Sequence, residues 1–114
     1  MEGTVLMVGA GRHQRRAIER ARELGLRVVA VDRNPDAPGL AAADEGEVID
    51  FTDVVAVTDA GRRHQVNGVL TVSADRAVPV VAEVAQALGL PMGSIGPTRM
   101  RCLNRLRQLS HEAI

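Results

Sequence analysis

At 114 residues the chain is one domain in length, enough for a real core but at the lower edge for an α/β enzyme that must also enclose a substrate. Fourteen basic residues balance fourteen acidic ones, so nothing global points to a nucleic-acid or membrane partner. The basic residues are all arginine, which removes Schiff-base chemistry and a P-loop lysine; the single cysteine, Cys102, removes an intramolecular disulfide and a cysteine-built zinc site and fits a reducing, cytoplasmic setting.

Thr4 to Val8 is an apolar, partly β-branched run next to glycine, the pattern of a strand buried on both faces and too short for a signal sequence or a membrane span. From Arg12 to Leu24 the period changes: Ala17, Ile18, Ala21 and Leu24 recur at helical spacing, and Gly25 stands where a C-terminal cap belongs. Val28 to Val31 is a second buried strand ending at Asp32. RNPDAPG reads as a loop, Glu47 to Ile49 as a short third strand, and Thr52 or Asp53 as the cap of a helix through Ala60 whose last turn Gly61 weakens. Gly68 to Val72 is a fourth strand. Asp75 is expected to cap the next helix, with Pro79 in its first turn and Val81, Val84, Ala85 and Leu88 as its buried stripe.

Such alternation predicts an α/β, Rossmann-like three-layer domain: a parallel sheet of four or more strands, the first central, with helices on both faces. PMGSIGP reads as a linker. Beyond it Met100, Leu103, Leu106 and Leu109 form the stripe of a C-terminal helix that breaks off in mid-pattern at Ile114, as if a following domain had been cut away. That stripe could also support a homodimer.

Charge is unevenly spread. Residues 32–59 hold eight acids and one arginine, while residues 12–27 hold six arginines and two glutamates, a division that opposite solvated faces of one surface would explain. His13, His64 and His111 share no metal-ligand spacing, so no metal site is expected. Ser73 has no histidine in a placed relation to it and is not read as a nucleophile.

The chemistry concentrates at predicted strand ends, where ligands of open parallel sheets bind. Gly9-Ala10-Gly11 forms a glycine turn after the first strand, and Asp32, twenty-one residues after Gly11, stands where an acid can bind ribose hydroxyls. The third glycine of a dinucleotide fingerprint is replaced by Gln14. NAD or flavin binding is therefore disfavoured, though a small dinucleotide- or adenosine-binding regulatory module stays open as an alternative.

Together GAGRHQ, VDRNPDAPGLAAADE, VIDFTD and VNGVLTVSADRAVPVVAEVAQALGLP resemble, in order, the N-terminal pre-ATP-grasp domain of ATP-grasp ligases. That superfamily includes biotin carboxylase, the carbamoyl-phosphate synthase large subunit and the purine-pathway carboxylate ligases. The resemblance implies a pre-ATP-grasp substrate domain over residues 1–97 and the start of the ATP-grasp region over 98–114. It implies a parent enzyme that uses ATP and magnesium to convert a carboxylate into an acyl phosphate for attack by an amine or another nucleophile. The chain's partners would be a small carboxylate or amine substrate and the remainder of the enzyme. No catalysis and no bound cofactor are expected of this chain alone.

By the same resemblance Gly9, Ala10, Gly11, Gln14, Asp32, Ser73, Ala74 and Asp75 face the substrate. Asp75 stands where many relatives have a glutamate, and Ala74 replaces a frequent serine. Asn104-Arg105 occupies the place of an Asp-Lys pair, which makes Arg105 the nucleotide-binding candidate.

Overall fold

The computed structural model describes residues 3–72, 74–90 and, as backbone, 92–95. The elements run β1 (Thr4–Val8), α1 (Arg12–Glu23), β2 (Arg27–Asp32), α2 (Pro38–Ala42), β3 (Glu45–Val48), α3 (Val54–Arg63), β4 (Gly68–Val72), a 3-10 turn (Asp75–Ala77), α4 (Val78–Leu88) and β5 (Met92–Ile95). The five strands form one sheet in the order β3-β2-β1-β4-β5, and every neighbouring pair is parallel. β1 is central, as predicted.

Alternation along the inner strands explains both helical layers. Val5 and Met7 of β1, with Val28 and Ala30 of β2, face Ala17, Ile18 and Ala21 of α1 and the flank of α2. Leu6 and Val8, with Val29, Val31 and Val69, face Val57 and Ala60 of α3 and Val81, Val84 and Ala85 of α4. A strand covered on both sides has no polar face to offer, which is why these strands read as unbroken apolar runs. Each fully buried Val or Leu is worth roughly 1.5–3 kcal/mol, so the sandwich rests on β1, β2 and β4. Among the described residues no helix is long and apolar enough to cross a membrane.

Four expectations need correction. PMGSIGP is not simply a linker, because Met92–Ile95 forms β5 alongside β4. The buried strand β4 presents an open edge of main-chain donors and acceptors, and a strand of almost any composition can pair with it. RNPDAPG runs into a helix: Pro38 opens α2 at the position where its missing N–H costs nothing. β3 begins at Glu45, before the predicted Glu47, because main-chain pairing with β2 fixes this exposed edge strand while its side chains show no buried pattern.

Asp75, finally, does not cap α4. It starts the 3-10 turn and makes no capping hydrogen bond there, and the turn itself leads into α4 through Ala77 N–H donating to the Ala74 carbonyl. Asp53 does cap α3, accepting from Ala56 N–H at 3.1 Å. α3 continues through Gly61, where an added Cβ would lie 2.7 Å from Leu88 Cδ1, so this glycine lets α3 and α4 approach. The C-terminal helix and the domain boundary at residue 97 lie outside the described residues.

Two polar contacts fasten the acidic edge. Arg63 Nη1 and Nη2 donate to the two carboxylate oxygens of Glu47 at 3.1 and 2.9 Å, and His64 Nε2 lies 2.6 Å from Glu47 Oε2, tying β3 to the end of α3. Burial pushes the Glu47 carboxyl up, but hydrogen bonds and charge from Arg63 and His64 outweigh it and hold it below its ordinary 4.5. On the other face Gly39 N–H donates to the Ala10 carbonyl at 2.7 Å, and a Cβ on Gly39 would lie 2.5 Å from that oxygen.

Two outcomes are expected from these contacts. Gly39→Ala should lose about 1–3 kcal/mol, seen as a lower urea midpoint at unchanged slope, because backbone atoms must move to admit the methyl. A carboxyl depressed in the fold adds stability above its unfolded value that is lost as pH falls through its folded value. Glu47→Gln should therefore destabilise the chain at pH 7, and denaturation series at falling pH should show the gap to wild type closing below about 4.5.

Candidate functional site

The carboxyl ends of β1, β2 and β4 meet on one side of the sheet, and β1 and β4 flank the point where the strand order reverses. In open α/β sheets this is where ligands bind. The β1–α1 turn is held tightly there. Gly9 takes φ 95°, a conformation that disfavours a side chain, and its N–H donates to the Val31 carbonyl at 2.9 Å. Ala10 is buried, its N–H donating to Asp32 Oδ2 at 2.9 Å while its carbonyl accepts from Gly39.

Asp32 Oδ1 meanwhile accepts from Asn34 N–H at 2.9 Å. Both oxygens of this carboxylate thus bind backbone, bracing the glycine turn against the β2–α2 loop.

Gln14 turns inward and is 7% exposed. Its Oε1 accepts from Gly11 N–H at 2.8 Å, and its Nε2 donates to the carbonyl of Val72 at the end of β4. With Gly11 as N-cap this is half of a capping box, since the glycine has no side chain to return the bond. Thr71 Oγ1 donates to the Val8 carbonyl at 2.9 Å, a second tie between β4 and β1.

What remains open on this rim is charged on both sides, and on the β4 side the exposed Arg76 follows Asp75. On the β1 side α1 begins without an acidic residue, Arg12 and His13 are exposed, and the amides of this first turn point outward from the helix start. Arg12, His13 and Arg16 form no ion pair among the described residues, whereas Arg15 and Arg20 farther along α1 pair with Glu19 and Glu23. On the β4 side Ala74 is half-buried and Asp75 exposed, and the Asp75 carboxylate has no hydrogen-bond or ion-pair partner among the described residues. Ser73 and Arg105 lie outside the described residues.

An open groove of about 700 Å³ at the opposite end of the sheet is lined by Glu19, Arg22, Arg27 and Asp44 among others. Its charges are largely matched, with Arg22 to Asp44 at 3.3 Å and Arg27 to Glu45 at 3.2 Å. Among the described residues no three metal-ligating side chains cluster.

Sequence reasoning did not single out Gly39, Asn34 or Thr71. A polar residue inside the apolar run GVLTV was the available signal for Thr71; the contacts of Gly39 and Asn34 depend on how the proline loop folds back, which no local pattern states.

Comparison with known proteins agrees with this architecture. The ATP-grasp N-terminal domain family model matches residues 18–92. The formate-dependent phosphoribosylglycinamide formyltransferase of Synechococcus sp. (strain CC9605) is 37% identical over 83 residues, covering 73% of this chain and 21% of that protein. Glycinamide-RNase-transformylase T from Mycobacterium tuberculosis superposes with a TM-score of 0.63 at 28% identity, over 97% of this chain and 35% of that one. UDP-glucose-4-epimerase from Stenotrophomonas maltophila, solved with bound NAD, shares the fold alone, with a TM-score of 0.68 at 14% identity over 97% of this chain and 47% of that one. The chain spans about a fifth of the length of the curated relatives it matches. With the family model covering most of the sheet and its helices, this chain belongs to the ATP-grasp N-terminal domain family.

Proposed function

We propose that the chain is the substrate-binding domain of an ATP-dependent carboxylate ligase, and that its substrate is phosphoribosylglycinamide or a close analogue carrying an amine and a phosphate. The observation that carries this reading is the exposed helix-start cations on one side of the rim and the Asp75 carboxylate on the other. A helix start with Arg12, His13 and Arg16 suits a phosphate, and the carboxylate of Asp75 across the crevice, without a partner among the described residues, suits an amine or its hydroxyl neighbours. The relatives named for phosphoribosylglycinamide support the same substrate class.

In this reading the parent enzyme uses ATP, with magnesium, to convert formate into an acyl phosphate. The substrate amine attacks the formyl carbon, the new C–N bond replaces the C–O bond to phosphate, inorganic phosphate leaves, and the amine gives up a proton. The present residues hold the amine-bearing substrate for that attack: Arg12 and His13 line one side of the rim, Ala74 and Asp75 form the facing wall, and Gly9, Ala10 and Gly11, covered by Gln14 and braced by Asp32, form the base beneath. The nucleotide contact of Arg105, and a boundary between the substrate domain and the ATP-grasp region at residues 97 and 98, belong to the same proposal.

Amide chemical shifts followed during titration test it. Phosphoribosylglycinamide should move the signals of Arg12, His13 and Asp75 saturably, and Asp75→Asn should weaken binding about tenfold, equivalent to ~1.4 kcal/mol. ATP with magnesium should give no binding tighter than about millimolar in calorimetry, because exposed charged contacts alone contribute too little against the entropy of association. Micromolar ATP affinity without a response to phosphoribosylglycinamide would place the nucleotide, not the substrate, on this domain.

A further inference from the structure

The fold of this chain is shared with an epimerase solved with bound NAD, and it carries a glycine turn at the point of the sheet where such ligands sit. Yet the Gly9–Gly11 turn itself has no amide left for a diphosphate. Its three amides are already committed: Gly9 N–H to the Val31 carbonyl, Ala10 N–H to Asp32 and Gly11 N–H to Gln14 Oε1. The Gln14 side chain also packs over the turn. A Cβ built on Gly11 would lie only 3.0 Å from Gln14 Oε1, while one built on Gly9 would be in ordinary contact with Gln14 Cδ at 3.9 Å. In this chain Gly11 makes room for its own glutamine.

Strand pairing shows what that glutamine closes. β1 stays in register with β2 as far as Val8 and Val31, and β4 with β5 as far as Val72 and Ile95. Between β1 and β4 the register ends earlier, at Met7 and Leu70. Beyond it the two central strands are joined by side chains: the Thr71 hydroxyl on the Val8 carbonyl, and the Gln14 amide spanning from Gly11 to Val72. That span is the mouth of the switch-point crevice.

We infer that Gln14 is a specificity-determining residue: its amide fills the space over Gly9 and Gly11 and takes the Gly11 N–H, and so keeps nucleotide diphosphates and dinucleotides out of a crevice that the fold would otherwise present to them. The substrate is left with the rim. The inference concerns exclusion, and it stands whichever small molecule the rim binds.

Three variants of the 114-residue chain, Gln14→Ala, Gln14→Gly and Gln14→Met, separate space from hydrogen bonding, with NAD as the probe and amide shifts as the readout. Wild type and Gln14→Met, which keeps the bulk without the amide, should show no saturable response at millimolar NAD. Gln14→Ala and Gln14→Gly should respond saturably at Gly9, Ala10 and Gly11, with affinity raised at least roughly tenfold over wild type. A cooperative thermal transition in each variant establishes that it is folded, and phosphoribosylglycinamide titrated into wild type reports separately on the substrate reading. Saturable NAD binding by wild type would overturn the inference, as would folded Ala and Gly variants that ignore NAD, or a Met variant that binds as well as they do. Loss of folding in both small variants would make Gln14 a structural strut alone and would equally overturn it.

Discussion

The carboxyl end of this sheet depends on the main chain of one residue, Ala10. Its N–H is held by Asp32 from the end of β2 and its carbonyl by Gly39 at the start of α2, so a single buried residue of β1's turn fixes two neighbouring segments. A buried peptide without partners would cost about 1–3 kcal/mol per group, so the β2–α2 loop must fold back onto it. The path of RNPDAPGLAA follows from that requirement. Pro38 permits the helix start, and Gly39 permits the approach; the Asp32 carboxylate lies between the two backbones it joins.

The same constraint explains what the sequence made legible and what it did not. β1, β2 and β4 were readable because burial on both faces demands continuous apolar side chains, and α1 and α4 because burial on one face demands helical spacing. Resemblance to the ATP-grasp N-terminal domain was readable for a related reason: the order of strand ends and loops is itself the motif. β5 and α2 were not, since one is held by main-chain pairing to an exposed strand edge and the other by docking on Ala10. Neither needs a side-chain pattern. Asp75 misled as a cap because an acid before a helix is the usual signal for one, and only the intervening 3-10 turn removes the need.

Site residues divide along the same line. Asp32 and Gln14 were legible as polar residues near a glycine turn, but their partners were not, because those partners are backbone atoms 22 and 58 positions away in sequence. A carboxylate whose two oxygens both accept from amides braces the site. An exposed carboxylate without a partner among the described residues, such as Asp75, can meet a ligand. The distinction rests on accounting for each oxygen, which residue type alone does not give.

Glycine turns after a first strand are commonly read as evidence of nucleotide binding, and this chain shows why the turn alone does not decide. What a diphosphate needs is free amides and empty volume in one place. Here Val31 and Asp32 take two of the turn's amides, and one residue a single helical turn later can take the third and cover it, if its side chain is long enough to fold back over the glycines and carries an acceptor and a donor at its tip. Glutamine meets that description: the acceptor satisfies the helix start and the donor reaches the next strand. A shorter side chain would leave the volume open, and a carboxylate would present no donor to the Val72 carbonyl. On the inference drawn from Gln14 the fold is kept while a dinucleotide is turned away, and the rim, with cationic side chains at one edge and a carboxylate at the other, is left to define what binds.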